Sequence, residues 1–178
     1  MKADRYRYDD REHPDLRDLP THAGVDKDCR EEIERRTAEN IETMKQLQEA
    51  LYADGREGIV LVLQALDAAG KDSIIKHVMS GLNPQGVMVH SFKQPGAEEL
   101  SHDYLWRVVK QLPPRGSIAI FNRSHYEDVL AVQILELWKK AQLPDRVLQD
   151  SRSEFFRKRY RQIRQFEEYL YENGYRVV

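Results

Sequence analysis

The most constraining feature of this sequence is an apolar run that leads directly into a turn of small residues. The run spans Gly58 to Leu66 and reads GIVLVLQAL. Near-continuous apolarity over this length is typical of a β-strand buried on both faces of a parallel sheet. The turn covers residues 67–71, and a helical pattern of apolar residues (Ile74, Ile75, Val78, Met79) follows it. The sequence therefore predicts a strand, a turn and a helix, in that order.

The turn matches the centre of the phosphate-binding loop pattern G-x-x-x-x-G-K-S/T and departs from it at both ends. Gly70 and Lys71 fit, whereas Ala65 stands at the first glycine position and Asp72 at the hydroxyl position. Such a loop offers backbone N–H groups and a helix N-terminus to an anion. The alternative is that Gly70 only breaks the chain and Lys71 is a solvated helix residue. The order of strand, turn and helix favours the phosphate loop.

The residues predicted to contact phosphate in this loop are Ala68, Ala69, Gly70, Lys71, Asp72 and Ser73. Asp67 is the unusual member, because a carboxylate beside phosphates repels them unless it holds a metal or activates a nucleophile. Its alternative role is that of an Asx-type turn residue. Since Asp72 replaces the hydroxyl that usually binds Mg²⁺, the metal is expected to be held elsewhere.

The rest of the chain repeats the alternation of helix and strand. Helices are predicted at 29–53, 129–138 and 147–171, and one more is predicted from the apolar positions 100, 105, 108, 109 and 112. Strands are predicted at 87–92, at 117–121 and from residue 175 onward. This alternation is typical of an open α/β sheet. Residues 1–28 lack periodicity and are interpreted as an irregular arm, which leaves 29–178 as one domain.

A second polar cluster, FNRSHYED, begins where the strand at 117–121 ends. In open α/β folds, ligands bind at the carboxyl ends of strands. Arg123 is a candidate to stabilise charge on a transferring phosphoryl group, and Glu127 is a candidate magnesium ligand. The competing interpretation is a capping box, Ser124-x-x-Glu127, at the start of the next helix. The spacing leaves both interpretations open.

Composition excludes several classes of function. The net charge of −2 argues against a nucleic-acid coat, and the single cysteine, Cys29, has no partner for an internal disulfide. The longest apolar runs have the length of strands, so no membrane span is expected. A cytoplasmic protein without nucleic-acid or membrane partners is the resulting expectation.

The segments LDAAGKDS, GLNPQGV and FNRSHYEDVL together resemble the family-2 polyphosphate kinases. The resemblance implies a P-loop kinase-like three-layer fold with a mostly parallel sheet. It also implies Mg²⁺-dependent phosphoryl transfer between inorganic polyphosphate and a nucleotide, adenine or alternatively guanine. Lys71 would bind the transferring phosphate, and Asp67 would hold metal or activate the acceptor. Asn122 and Arg123 would stand in the second phosphate-and-metal motif, and Glu127 would mark the AMP- and ADP-accepting subgroup.

Family members continue beyond the strand at Tyr175 into a basic lid, so the domain is expected to be incomplete at its C-terminus and the protein to be a homo-oligomer. Two alternatives stay open: an ATP-dependent nucleotide kinase of the thymidylate kinase type, and a lidless, inactive polyanion-binding subunit.

A basic stretch, Arg157-Lys-Arg159 with Arg161 and Arg164, is either a polyanion-steering surface or a solvated helix face with carboxylate partners such as Glu154 and Glu167.

Overall fold

The computed structural model describes Asp15, Arg17 and residues 29–178. The irregular arm predicted for 1–28 therefore lies outside the described residues, except that Asp15 and Arg17 form an ion pair with each other. The strands are β1 (Gly58–Leu63), β2 (Val87–Ser91), β3 (Ile118–Asn122) and β4 (Tyr175–Val177). The α-helices are α1 (Arg30–Asp54), α2 (Lys71–His77), α3 (Ala97–Leu100), α4 (Trp106–Val109), α5 (Ala131–Ile134), α6 (Asp145–Leu148) and α7 (Arg152–Glu172).

The four strands form one parallel sheet in the order β2-β3-β1-β4. The predicted mostly parallel α/β fold is confirmed by this topology. The prediction for β1 needs one correction. The strand ends at Leu63 rather than Leu66, and several of its residues are only half-buried. The strand buried along most of its length is β3, because it lies between β1 and β2 and is covered on both faces.

Helices cover both faces of the sheet because successive side chains of a strand point to opposite sides. On one face, Ile118 and Ile120 pack with Met79, Leu82 and residues of α1 and α2. On the other face, Ala119 and Phe121 pack with Val60, Phe92, Val108 and Phe166. The result is a helix–sheet–helix sandwich, which is the predicted three-layer arrangement.

A third apolar cluster joins the segment after β3 to helix α7. Trp138 stacks on Phe155 with ring centroids 5.0 Å apart, and Phe156, Ile163 and Val129 complete the cluster. This packing anchors the segment that carries the polar residues following β3. Among the described residues, no helix combines the length and the apolarity needed to cross a bilayer.

The predicted helix through residues 100–112 is wrong as one continuous element. It consists of the two short helices α3 and α4, and Leu100 and Val109 are 57% and 50% exposed. The break lies at Asp103, whose carboxylate accepts a hydrogen bond from the Leu105 N–H at 2.9 Å. Aspartate side chains of this kind offer the backbone an alternative to the helical bond.

Two further helix predictions need shortening. The region 129–138 contains only α5 and part of a 3₁₀ turn, Leu137–Lys140, because Glu136 adopts a left-handed backbone with φ of 51°. The last long helix starts at Arg152 rather than Val147, because the Ser151 hydroxyl caps it by accepting from the Glu154 N–H. After His77 the helical pattern of α2 also ends, and Ile74 is exposed rather than packed.

Candidate active site

The two polar segments predicted from sequence meet at one edge of the sheet. In the parallel ladder, Leu63 of β1 is paired with Asn122 of β3. The Arg123 N–H extends that ladder by donating to the Leu63 carbonyl at 3.0 Å. The loop after β1 and the segment after β3 therefore leave the sheet side by side, as parallel strands require.

The loop after β1 turns through two left-handed residues, Ala68 with φ of 62° and Gly70 with φ of 94°. Gly70 is the N-cap of α2, and its carbonyl accepts from the Ile74 N–H at 3.0 Å. A Cβ at Gly70 would meet no atom within 4 Å, so glycine is favoured there by backbone conformation and not by space. Ala69 donates to the Leu66 carbonyl, and Ser73 lies exposed in the first turn of α2.

Lys71 folds back over this loop. Its Nζ donates to the carbonyl oxygens of Ala65 and Leu66 at 3.0 and 2.8 Å. The lysine is thus a positive charge held at the loop by two backbone oxygens. Both bonds are to neutral groups, so a more negative acceptor such as a phosphate oxygen can compete for the ammonium group.

Arg123 links the two segments through its side chain. Its Nη2 donates to the Asp67 carboxylate, and its Nη1 lies 3.4 Å from the Glu127 carboxylate. Its backbone is left-handed, with φ of 64°. The Asp67 side chain is 84% exposed and the Glu127 side chain 25% exposed. The Asp67 carboxylate turns to Arg123 and, among the described residues, accepts no hydrogen bond from the loop backbone, so the Asx turn does not form there.

Asn122 makes a second connection between the segments. Its Nδ2 donates to the Asp72 carboxylate at 2.7 Å. This bond orients the amide so that its oxygen is left for another partner. Asp72 is therefore tied to β3 as well as to the first turn of α2.

The predicted capping box forms only in part. The Ser124 hydroxyl accepts from the Tyr126 N–H at 3.2 Å, at the start of a 3₁₀ turn, His125–Asp128. Within the described part of the chain, the Glu127 carboxylate bonds to Arg123 and Gln64 and not to the Ser124 N–H. The carboxylate therefore faces the site, and the reciprocal half of the box is wrong.

Sequence reasoning missed Gln64. Its Nε2 donates to Glu127 Oε1 at 2.7 Å, and its Oε1 accepts from the Ser124 hydroxyl at 3.1 Å. The available signal was a single polar residue inside an apolar strand-like run. The sequence signal places Gln64 in the site only when β3 is known to lie beside β1.

Behind the site, Glu167 of α7 holds the segment after β3. Its Oε1 accepts from the Tyr126 hydroxyl at 2.8 Å and lies 3.1 Å from Nε2 of the buried His125. Burial works to raise the pKa of the Glu167 carboxyl, but the hydrogen bonds from His125 and Tyr126 outweigh it, so that its pKa is lowered. Burial and the Glu167 contact raise the pKa of Tyr126, which keeps its hydroxyl a donor.

Glu167→Gln is expected to destabilise the fold by about 1 kcal/mol at pH 7. A carboxyl whose pKa is lowered by folding contributes stability above its unfolded pKa and loses it as the pH falls through the folded value. The difference from wild type should therefore shrink below about pH 4. Urea unfolding at pH 7 and below about pH 4 measures this difference in unfolding free energy. Glu168→Gln, at the exposed neighbouring residue, is the matched control. An equal loss at both pH values would contradict the ionic origin.

The basic stretch of α7 is largely paired. Arg157 bonds to Glu154 at 2.7 Å, Lys158 to Asp150 at 2.8 Å, and Arg159 lies 3.8 Å from Asp128. The interpretation as a solvated helix face with carboxylate partners fits Arg157 and Lys158, whereas the Arg159 side chain is only 13% exposed and lies over the Tyr104 ring. Arg161 and Arg164 have no ion pair within the described residues. Glu167, the other expected partner, contacts His125 and Tyr126 instead.

An α/β fold with a parallel sheet, a strand–loop–helix carrying a lysine, and an arginine beside it at the strand ends is the arrangement of a P-loop kinase-like fold. Comparison with known proteins makes the assignment more specific. The model of the polyphosphate kinase 2 family matches residues 27–178, and the chain belongs to that family. The predicted family and P-loop kinase-like fold are thereby confirmed.

Three relatives illustrate the similarity. The chain is 41% identical over 179 residues to an ADP-polyphosphate phosphotransferase of Rhodopseudomonas palustris, covering 100% of this chain and 61% of the relative. It is 47% identical over 135 residues to an AMP/ADP-polyphosphate phosphotransferase of Meiothermus ruber, covering 76% and 46%. The crystal structure of polyphosphate kinase 2 from Arthrobacter aurescens TC1 has a TM-score of 0.67 at 38% identity, covering 79% and 47%. The chain thus spans roughly half to three-fifths of these relatives.

Proposed function

We propose that this protein transfers phosphoryl groups between inorganic polyphosphate and AMP or ADP, using Mg²⁺. The observation that carries the proposal is the position of Arg123, which joins the phosphate-loop residue Asp67 to Glu127 at the ends of two adjacent strands. The names of the relatives from Rhodopseudomonas palustris and Meiothermus ruber support the same substrates.

The loop supplies the phosphate contacts in this proposal. Phosphoryl transfer requires the transferring group to be positioned and its charge to be stabilised, with little covalent chemistry from the protein. Lys71 exchanges its bonds to the Ala65 and Leu66 carbonyls for phosphate oxygens. The backbone N–H groups around Gly70 and the start of α2 face the same anion.

Charge balance explains why a cation is needed. The site groups three carboxylates (Asp67, Asp72, Glu127) with two cations (Lys71, Arg123), so its formal charge is 2 − 3 = −1. A polyanion binds such a site poorly unless further positive charge enters with it. A divalent metal ion that enters with the phosphates would supply that charge.

The donor atoms of the site fit Mg²⁺. This ion prefers oxygen ligands and is usually held by one or two carboxylates together with substrate phosphates. Asp67 and Glu127 offer carboxylates, and Asn122 offers its amide oxygen, since its nitrogen is engaged by Asp72. Within the described residues, no group of three or more histidine, cysteine, aspartate or glutamate side chains is arranged to hold a metal. Phosphate oxygens are therefore expected to complete the coordination.

Arg123 has two sets of partners in this mechanism. Without substrate it neutralises Asp67 and Glu127. Mg²⁺ held by Asp67 and Glu127 would give these carboxylates a different counter-charge. The guanidinium group then becomes available to stabilise charge on the transferring phosphoryl group.

The direct test supplies polyphosphate as the only phosphoryl donor, with Mg²⁺ and either AMP or ADP, and measures ATP and ADP formation. The expected result is nucleotide phosphorylation that depends on both polyphosphate and metal. Activity with ATP but not with polyphosphate would instead indicate a thymidylate-type kinase. Polyphosphate binding without turnover would indicate an inactive binding subunit.

Glu127→Gln is expected to lower the rate of ATP formation by about tenfold or more and to raise the Mg²⁺ concentration needed for half-maximal rate. Glutamine can still accept a hydrogen bond from Gln64, so the thermal unfolding midpoint should change little. A magnesium titration of the rate measures the effect, with Glu168→Gln as the control. Superimposable titrations for wild type and Glu127→Gln would show that Glu127 is not a magnesium ligand.

A further inference from the structure

We infer that Gln64 is a positioning residue: it holds the Glu127 carboxylate in place when Arg123 turns from that carboxylate to phosphate. The inference rests on the proposed function and assigns a role to a residue outside the phosphate loop and outside the FNRSHYED segment. Gln64 lies one residue beyond the end of β1 and is half-buried. Its side chain reaches across to the segment that follows β3.

Both ends of the Gln64 amide are used. Its nitrogen donates to Glu127 Oε1 at 2.7 Å, and its oxygen accepts from the Ser124 hydroxyl at 3.1 Å. The Ser124 oxygen in turn accepts from the Tyr126 N–H at 3.2 Å. The amide orientation is therefore fixed by its partners, because an ionised carboxylate can only accept and the Ser124 proton needs an acceptor.

Gln64 makes the shorter of the two described side-chain contacts of the Glu127 carboxylate. The bond from Gln64 is 2.7 Å long, whereas Arg123 Nη1 is 3.4 Å away and the same guanidinium group also serves Asp67. When Arg123 moves to phosphate, Gln64 is the partner of Glu127 that remains among the described residues. A neutral donor suits this task because phosphate does not attract it away from the carboxylate as it attracts a cation.

No isosteric replacement of Gln64 keeps both bonds. Gln64→Glu retains an acceptor for Ser124 but places a second carboxylate against Glu127 and removes the donor. Ser124→Ala is the complementary variant, since it removes the hydroxyl and keeps the bond from Gln64 to Glu127. Gln165→Ala is the matched control, because Gln165 is exposed on α7 and its side chain has no hydrogen bond within the described part of the chain.

The kinetic test compares these variants in the polyphosphate-dependent assay. Gln64→Glu and Gln64→Ala should lower kcat by about ten- to hundredfold, with the KM for polyphosphate within about threefold of wild type. Ser124→Ala should lose much less than Gln64→Glu, and Gln165→Ala should match wild type. The inference would be overturned if the Gln64 variants changed only the unfolding midpoint, or changed only the KM for polyphosphate and left kcat unaltered.

A double-mutant cycle tests whether Gln64 acts through Glu127. Residues that act as one unit show non-additive losses. In a Glu127→Ala background, Gln64→Ala should therefore cause no further loss of kcat beyond about twofold. A full multiplicative loss would show that Gln64 acts independently of Glu127 and would overturn the inference.

A ligand-free measurement separates failure of this inference from failure of the proposed function. The Gln64 side-chain amide resonances in a ¹H–¹⁵N spectrum should move in Glu127→Ala, while those of Gln165 stay in place. Unmoved Gln64 resonances would refute the contact whatever the activity. An active wild type with unaffected Gln64 variants refutes only the positioning role. A wild type without polyphosphate-dependent turnover refutes the proposed function, and the positioning role of Gln64 in that reaction with it.

Discussion

Lys71→Met is expected to lower polyphosphate-dependent ATP formation by about a hundredfold or more. Methionine keeps an unbranched side chain that is one atom shorter and removes the ammonium group, so the variant deletes the charge with little change in shape. In the structure this ammonium group is already held at the loop by the Ala65 and Leu66 carbonyls. Lys71 therefore needs little reorganisation to reach a phosphate bound against the start of α2.

Lys76→Met is the matched control, because Lys76 is an exposed lysine on the same helix. It should change the rate by no more than about twofold, since a distant solvated charge is largely screened. Lys71→Met also loses two bonds to loop carbonyls, and a loss of about 1–2 kcal/mol in unfolding free energy is expected from them. Denaturant unfolding measures this loss. A rate reduction of less than about tenfold for Lys71→Met would contradict the phosphate-loop assignment.

The sequence was sufficient to predict the element order around the site because the relevant signals are local. The apolar run ending at Leu66, the glycine at 70 and the polar residues after Phe121 each mark the end or start of an element to within a few residues. The rule that parallel strands carry ligands at their carboxyl ends then places both segments on one edge. Those steps require periodicity and chain order and no knowledge of side-chain geometry.

The side-chain partners could not be predicted in the same way. Asp67 and Arg123 are 56 positions apart, and Gln64 and Glu127 are 63 apart. Their contacts depend on the β1–β3 register and on the left-handed turn at Arg123, neither of which leaves a pattern in the sequence. The capping-box spacing at Ser124 was misleading for this reason: the local partner of Glu127 was visible in the sequence, whereas the distant partner that it actually contacts was not.

The largest effect is expected at Arg123. Both Arg123→Ala and Arg123→Gly should lower the rate of phosphoryl transfer by about a thousandfold or more, the size of effect that arginines have on phosphoryl transfer in other enzymes. The two variants remove the same guanidinium group and leave Asp67 and Glu127 without it. Arg164→Ala is the control, since Arg164 is an exposed arginine without an ion pair among the described residues, and it should affect the rate by no more than about threefold.

The same pair of variants separates the charge of Arg123 from its backbone. A residue other than glycine at a φ of 64° carries a steric cost of roughly 1–2 kcal/mol, which glycine avoids. Arg123→Gly should therefore unfold at a higher denaturant concentration than Arg123→Ala, by about 1 kcal/mol in unfolding free energy, although both are inactive. Such a result would show that the chain accepts strain at this position in order to direct a guanidinium group at the site. Equal stabilities would show that the left-handed turn is not strained, and an active Arg123→Gly would remove Arg123 from the catalytic residues.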